Sequence, residues 1–433
     1  MQAVIMAGGK GTRLRGVTGD ALPKPMAPVA GRPILEWQIE ALRQNGVTEL
    51  VLVVGYLGEV IRRHFGDGRD FGVRISYFTE ETPLGTAGAL PLLRERLEED
   101  FLLVFGDVIF EIDLERMLRF HREKRADATL FVHPNTHPFD SDLVLRGADG
   151  RVTGMYPKNE KRDFWYDNCV NAGFYVISRR LLAGLSGGEK ADLERDVLLP
   201  AIRRGGAVYA YSSPEYIKDV GTPQRIEAAA RELESGFVQA RCLKRPQRCI
   251  FLDRDGTVSQ YRGLVSREEE LELEECAARA IRRINESGRL AVMVTNQPVV
   301  ARGLCGIEDV ERIHNKMKTL LGREGAYLDD VRFCPHHPDR GYPEENPAYK
   351  IPCACRKPGT GMLRACAEAY HIDLAQSWII GDTTVDLQTG RNAGMRTALV
   401  KTGLGGGDKK YEAAADITAR DLLQAVDMIL EMG

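Results

Sequence analysis

Residues 3–14 read AVIMAGGKGTRL, an apolar run that opens into three glycines and then into a polar stretch. A short buried strand that delivers Gly8, Gly9 and Gly11 exposes backbone amides with no side chain in the way, a geometry suited to phosphate oxygens. The spacing excludes the two commonest nucleotide loops. Leu14 stands where the dinucleotide fingerprint needs a third Gly or Ala, and no Gly-Lys-Ser/Thr follows at the Walker interval. Working outward, apolar or β-branched runs at residues 3–7, 50–54, 73–78, 101–105 and 128–132 predict strands. Between them, Ile34, Leu35, Ile39 and Leu42 share one helical face after Pro33, and Leu114, Met117, Leu118 and His121 share another. Strands separated by helices imply βαβ units and a mainly parallel sheet.

The alternation fails over residues 235–248, SGFVQARCLKRPQR, and restarts with CIFLDRDGT at 249–257. A helix over 276–285, a strand over 290–295, a helix ending near Leu321 and the strand SWIIGD follow. The expectation is therefore an α/β protein of two Rossmann-like domains, 1–235 and 248–433, joined by a linker at 236–247. The length of 433 residues agrees, since a single core stops growing at roughly 250–300 residues. With 59 basic against 62 acidic residues, charge supplies no reason for a nucleic-acid partner. No apolar run approaches about 18 residues and the first residues lack a signal-peptide pattern, so a cytoplasmic protein without membrane attachment is expected. Nine cysteines, three of them near a histidine, read as metal binding before disulfides.

Gly8-Gly9-x-Gly11-Thr12-Arg13-Leu14, followed by Leu-Pro-Lys-Pro-Met with Lys24 at its centre, resembles the signature of the sugar-phosphate nucleotidyltransferases. The resemblance extends over residues 1–233. It implies that Asp107, after Phe105-Gly106, and Asp219, within IKDVGTP, hold Mg²⁺ on nucleotide phosphates, a fit for hard oxygen ligands. Glu80, Gly85, Thr86 and Gly88 in EETPLGTAGAL resemble the loop at the base and ribose, and Asn171 and Gly173 the loop at the sugar hydroxyls. The family's Glu-Lys-Pro is missing, and Lys158 or Lys161 is left for the sugar phosphate, with Lys158 favoured. In this reading Arg13 and Lys24 neutralise charge as a sugar 1-phosphate attacks the α-phosphorus of a nucleoside triphosphate.

The second half resembles the haloacid dehalogenase superfamily over residues 248–403: Asp253-Arg254-Asp255-Gly256-Thr257, then Thr295-Asn296, Arg356-Lys357-Pro358, and Gly381-Asp382 with Asp386. The resemblance implies Asp253 as nucleophile, Asp255 as acid and base, Lys357 as the balancing cation, and Mg²⁺ on Asp253, Asp382 and the Asp255 carbonyl. Thr295 would bond the phosphate. Cys334-Pro335-His336-His337 and Cys353-Ala354-Cys355 supply three thiolates and an imidazole, a closed set suited to structural Zn²⁺. His336 is favoured over the adjacent His337. Within the zinc-bearing branch the loops resemble the heptose bisphosphate phosphatases more than the histidinol-phosphate phosphatases, with Asn296, Arg302 and Arg356 near the sugar phosphate; Pro298-Val299-Val300 departs from that pattern.

The fusion implies consecutive steps: removal of the 7-phosphate of D-glycero-α-D-manno-heptose 1,7-bisphosphate, then transfer of GMP from GTP to heptose 1-phosphate, giving GDP-heptose. GTP and heptose phosphates are the expected partners, with a homo-oligomer open. Two other readings stand beside it: a different hexose 1-phosphate nucleotidyltransferase fused to a promiscuous phosphatase, and a regulatory sugar-nucleotide-binding protein. The base, the anomer and the placement of the two sites stay open at this point.

Overall fold

The computed structural model describes residues 1–9, 12–19, 21–341 and 344–433. Gly11 and the side chain of Thr12, both expected in the nucleotide loop, lie outside the described residues. The chain divides into two compact units. The first comprises Met1–His133, Asp142–Pro157 and Val170–Cys242; the second comprises Pro134–Ser141, Lys158–Cys169 and Leu243–Gly433.

In the first unit the apolar run at the start forms the strand Gln2–Met6, whose residues 3–5 are fully buried. It lies between the parallel strands Asp100–Phe105 and Glu49–Val54, with Arg74–Thr79 beyond the latter. These four match the runs read from the sequence to within a residue or so at each end. Val170–Ser178 then pairs antiparallel with Asp100–Phe105 and continues the nine-stranded sheet. The helix Ile34–Gln44 turns Leu35, Ile39, Ala41 and Leu42 into the core over this sheet. Inside that apolar face sits Gln38, fully buried, whose amide donates to the carbonyls of Phe105 at 2.8 Å and Val108 at 2.7 Å. A lone polar residue in an apolar stripe is kept there by this pairing. The pairing brackets the turn that carries Asp107.

The second unit is a six-stranded, all-parallel sheet ordered Asp330–Cys334, Leu290–Asn296, Cys249–Leu252, Trp378–Gly381, Arg396–Val400, Ile417–Ala419. Alternate side chains of the central strand serve opposite faces. Ile250 and Leu252 join the core formed with helices Ala277–Glu286 and Leu422–Glu431, while Cys249 and Phe251 join the one formed with Gly361–Tyr370. A strand buried on both sides needs such a continuous apolar run.

Two features differ from a strictly sequential division. The stretch read as a linker without period contains the helical turn Phe237–Ala240, with Val238 buried. The segments 134–141 and 158–169 cluster with the second unit. Within that unit Tyr166 and Thr319 exchange two hydrogen bonds of 3.0 and 3.1 Å, and Lys318 pairs with Asp167 at 2.8 Å. Among the described residues no helix is long and apolar enough to cross a membrane.

Candidate active sites

In the first unit the C-terminal ends of the parallel strands deliver Gly8, Gly55, Glu80 and Asp107 to one edge of the sheet, the place where open parallel sheets bind ligands. Gly106 N–H donates to the carbonyl of Met6, which ties the Asp107 turn to the glycine loop. Lys24 forms an ion pair with Asp107. Asp219 accepts from Arg225 Nη1 and from the backbone of Gly221, both at 2.6 Å, and Val220 N–H donates to the carbonyl of Asp107 at 2.8 Å. A Cβ built on Gly221 would lie 2.7 Å from Asp219 Oδ1, 3.1 Å from Lys24 Nζ and 3.6 Å from Arg13 Nη2. The two carboxylates and two cations expected from the sequence are therefore neighbours.

Glu80 packs its carboxylate against the glycine loop: a Cβ on Gly8 would stand 2.6 Å from Glu80 Oε2. Burial raises the pKa of Glu80 above its ordinary value, opposed by the N–H of Leu84, and Oε1 is buried without a partner. Gly85 and Gly88 permit a close approach, because a Cβ on either would stand 2.4 or 2.1 Å from the carbonyl oxygen of Ala191 or Glu189. The Thr86 hydroxyl accepts from Leu193 N–H at 2.7 Å, so it caps the segment after Asp192. Asn171 donates to Tyr175 Oη at 2.7 Å and to Glu194 Oε1 at 3.0 Å, and Gly173 packs beside the Phe105 ring. Lys158 and Lys161 are exposed on a segment that clusters with the second unit, and Lys161 pairs with Asp163.

In the second unit the central strand ends at Asp253, flanked by the strand ending in Thr295-Asn296 and by the strand leading to Asp382. Lys357 Nζ lies 2.7 Å from Asp253 and 2.5 Å from Asp386, with all three side chains almost wholly buried. Asp253, Asp382 and Asp386 present oxygens within 4.8 Å of one another, and Asp382 Oδ1 is buried without a partner. Three carboxylates face one ammonium. Burial, and then the neighbouring carboxylates, push Asp253 up to about 6 and Asp382 up to about 8. Burial works against the charge of Lys357, yet Asp253 and Asp386 hold its pKa above the lysine range. Such a site is short of positive charge.

Asn296 anchors Lys357 through its backbone: it accepts from Lys357 N–H at 2.9 Å and donates to Lys357 O at 3.1 Å. Thr295 Oγ1 takes a hydrogen bond from Gln297. Cys334, His336, Cys353 and Cys355 converge with separations of 3.2–3.6 Å, all three thiols free. His336 and not His337 shares this cluster. Arg356 leaves it directly, its N–H on Cys353 Sγ and its guanidinium on the His336 carbonyl. Beyond lies a cationic patch. Burial, and then Arg356, Arg302 and Lys350, hold His337 below the usual histidine range, with Asp339 opposing.

Several participants were not singled out from the sequence. Asp386 stands four residues after Asp382 at a helix start, a position that is a usable signal in the sequence. Glu194 and Arg254 carried none, since a Glu or an Arg in a polar stretch reads as solvated until the fold buries it.

The described geometry gathers aspartates and cations beside a glycine loop in one half, and three aspartates around a lysine at the strand ends of the other. Residues 2–236 match the Nucleotidyl transferase family and residues 354–425 match the HAD-hydrolase-like family. The chain belongs to the nucleotidyl transferase family. A mannose-1-phosphate guanylyltransferase of Mycobacterium tuberculosis is 35% identical over 247 residues, covering 56% of this chain and 67% of the relative. The D-glycero-alpha-D-manno-heptose 1-phosphate guanylyltransferase of Aneurinibacillus thermoaerophilus is 32% identical over 54% of this chain and 99% of its own. Among solved structures, D,D-heptose 1,7-bisphosphate phosphatase of B. bronchiseptica, complexed with magnesium and phosphate, aligns with 43% of this chain and 100% of its own at 33% identity, TM-score 0.38.

Proposed function

We propose that the half spanning 248–433 removes the 7-phosphate of D-glycero-α-D-manno-heptose 1,7-bisphosphate and that the half spanning 1–235 transfers GMP from GTP to the resulting heptose 1-phosphate, with 236–247 between them. The union of both sites in one chain carries the reading: hydrolysis at the far phosphate produces the very 1-phosphate that a guanylyltransferase consumes. The relative from Aneurinibacillus bears the second of these activities in its name.

In the phosphatase, a carboxylate oxygen of Asp253 bonds to phosphorus while the bond to the sugar oxygen breaks, and Asp255 gives that oxygen a proton. Water then attacks the aspartyl-phosphate and loses a proton to Asp255, which releases phosphate and restores both side chains. Lys357 holds the nucleophile, Thr295 bonds the phosphoryl group, and Arg302 and Arg356 hold the sugar phosphate. Asp253, Asp382 and the Asp255 carbonyl would hold Mg²⁺, with Asp386 beside them; the buried, unpartnered Asp382 oxygen and the excess of carboxylates fit a hard cation. Such an ion supplies charge neutralisation at phosphorus. Cys334, His336, Cys353 and Cys355 fit Zn²⁺ by donor type, and the ion would brace the turn bearing Arg356 and Lys357.

In the transferase, an oxygen of heptose 1-phosphate attacks the α-phosphorus of GTP, the bond to the bridging oxygen breaks, and pyrophosphate leaves. Arg13 and Lys24 neutralise the charge that develops, and Asp107 and Asp219 supply oxygens for Mg²⁺. The amides of Gly8, Gly9 and Gly11 with Thr12 cradle phosphates, Gly85, Thr86 and Gly88 shape the nucleoside wall, and Asn171 and Gly173 hold the sugar hydroxyls. Glu80 supports guanine as the base, because a carboxylate accepts from the paired N1–H and N2–H₂ donors of guanine, whereas adenine sets the N1 acceptor beside its N6–H₂ donor.

Phosphorus NMR of the protein with heptose 1,7-bisphosphate and no GTP should show the 1-phosphate surviving; GTP should then convert it to GDP-heptose. Loss of the anomeric phosphate first overturns the sequence of steps. Mannose 1-phosphate offered in parallel tests the hexose reading, which the mannose-acting relatives favour.

A further inference from the structure

Arg254 lies between the two carboxylates of the phosphatase motif, and its guanidinium is completely buried. Taking such an ion out of water costs several kcal/mol even when it is paired, so fold stability alone is a poor reason to keep it. Its contacts are specific. Nε donates to Asp255 Oδ1 at 3.0 Å and Nη2 to Asp255 Oδ2 at 2.9 Å, the two-pronged geometry that orients a carboxylate. The fork is itself held from behind. Nη2 also reaches Gln297 Oε1 at 2.9 Å, and Nη1 reaches His314 Nε2 at 3.3 Å. His314 comes from the buried face of the helix Ile307–Arg323; burial, and then the adjacent guanidinium, hold its pKa well below the usual histidine range, and the guanidinium donor opposite Nε2 fits the tautomer in which that nitrogen accepts.

The two oxygens of Asp255 are not equivalent. Oδ2 receives Arg254 Nη2 and, at 3.0 Å, Gln297 Nε2, which fills both of its lone-pair directions. Oδ1 receives Arg254 Nε and a longer contact of 3.3 Å from Ser259 Oγ. The single hydroxyl proton of Ser259 has a second acceptor, the Arg254 carbonyl, at 3.2 Å. When Ser259 turns to that carbonyl, Oδ1 has a lone pair to spare and Oδ2 does not. Resting on the reading of Asp255 as proton carrier, we propose that Arg254, backed by Gln297 and His314, is a positioning residue that presents Asp255 Oδ1 as the atom through which the proton passes. In the first step Oδ1 gives its proton to the sugar oxygen as that oxygen leaves phosphorus. In the second, Oδ1 takes a proton from water as water oxygen bonds to phosphorus and the Asp253 oxygen departs.

The test exploits the leaving group. kcat/KM covers steps only up to release of the alcohol, and p-nitrophenolate leaves without a proton whereas a sugar alkoxide does not. Asp255→Asn, Arg254→Met, Gln297→Met and Arg254→Lys would be compared on heptose 1,7-bisphosphate and on p-nitrophenyl phosphate, with thermal melting of the second unit as the check on folding. Asp255→Asn and Arg254→Met should lower kcat/KM on the sugar phosphate by about 10²–10⁴ and on the aryl phosphate by less than about tenfold. Gln297→Met should show the same selectivity at reduced size, and Arg254→Lys should recover part of the loss. If Asp255→Asn slows both substrates equally, the proton-carrier reading itself fails. If Asp255→Asn discriminates while Gln297→Met and the Arg254 variants slow both substrates equally, or neither, the positioning role is overturned and that reading survives. Should Arg254→Met not fold, Gln297→Met and Arg254→Lys decide.

Discussion

Both halves set a lysine against aspartates at the C-terminal edge of parallel strands, yet they treat that charge in opposite ways. Lys24 and Asp107 in the transferase half keep side-chain exposures of 14 and 23%, and Asp219 pairs with Arg225 at 43%. Lys357, Asp253 and Asp386 in the phosphatase half keep 3, 12 and 1%. A site that receives a nucleoside triphosphate from water is best served by charges already paired and wet, since the ligand brings most of the charge to be neutralised. A carboxylate that must attack phosphorus benefits from dry surroundings where few hydrogen bonds blunt it, and raised carboxyl pKa values accompany that dryness.

The sharpest test of this contrast is to remove the dry carboxylate proposed as the nucleophile. Asp253→Asn should cost the phosphatase well beyond the ~10²–10³ of a lost electrostatic donor, with guanylyl transfer intact by a coupled pyrophosphate assay. Equal collapse of both activities in a folded protein would mean the halves do not work independently. Metal removal comes next. Zinc in small sites contributes an apparent ~10–16 kcal/mol tied to folding, so Cys353→Ser should lose one zinc per chain and lower the melting of the phosphatase half while the transferase half melts unchanged. A fully active wild-type protein with no zinc by elemental analysis refutes that role.

The two lysines offer a direct contrast in stability. Lys357→Ala leaves buried carboxylates unpaired and should cost about 3–5 kcal/mol in urea unfolding, whereas Lys24→Ala breaks a wetter pair and should cost about 0–1 kcal/mol. Lys24→Ala should nevertheless lower guanylyl transfer by about 10²–10³. Comparable stability losses would erase the distinction drawn above. A further test concerns Glu194, a partly buried carboxylate that accepts from Asn171 and Tyr175. Burial, and then the charge of Asp192, push it up to about 7 against the bond from Tyr175. Its carboxyl thus holds a proton more tightly folded than unfolded, and stability falls as pH rises from about 4.5 to 7. That loss amounts to about 3 kcal/mol. Glu194→Gln, neutral throughout, should flatten this slope and be the more stable form at pH 8; an unchanged slope refutes the assignment.

Much of the candidate chemistry was legible before any fold was known. Asp253 and Asp382 directly follow apolar runs, with Asp255 two residues beyond the first and Lys357 in a short Arg-Lys-Pro motif, and a strand end in a parallel sheet points into the binding crevice whatever surrounds it. Cys334, His336, Cys353 and Cys355 were legible from donor chemistry, and the geometry chose His336 over His337. The glycine loop and the two strand-end aspartates of the first half were equally plain. Other assignments shifted in emphasis. The motif of Thr86 implies contact with the nucleotide, whereas its hydroxyl accepts from Leu193 N–H. Lys158 was read within the first half, and its segment clusters with the second.

What the sequence by itself determined, then, is whatever depends on neighbours along the chain: the alternation of strands and helices, the α/β class of both halves, and the carboxylates, glycines and thiols that motifs place at strand ends and turns. Periodicity and spacing are local, and a residue's position relative to its own strand survives any tertiary arrangement. Tertiary structure alone decided which charges are dry. Arg254 reads as a solvated residue between two acids until Gln297 and His314, 43 and 60 residues away, close over it. Glu194 reads as one more acid in an acidic stretch until Tyr175 and Asn171 enclose it. Segments 134–141 and 158–169 carry no periodic mark of the unit they pack into. Burial and its pKa consequences arise from side chains distant in sequence, and a linear pattern does not encode the distances that set them.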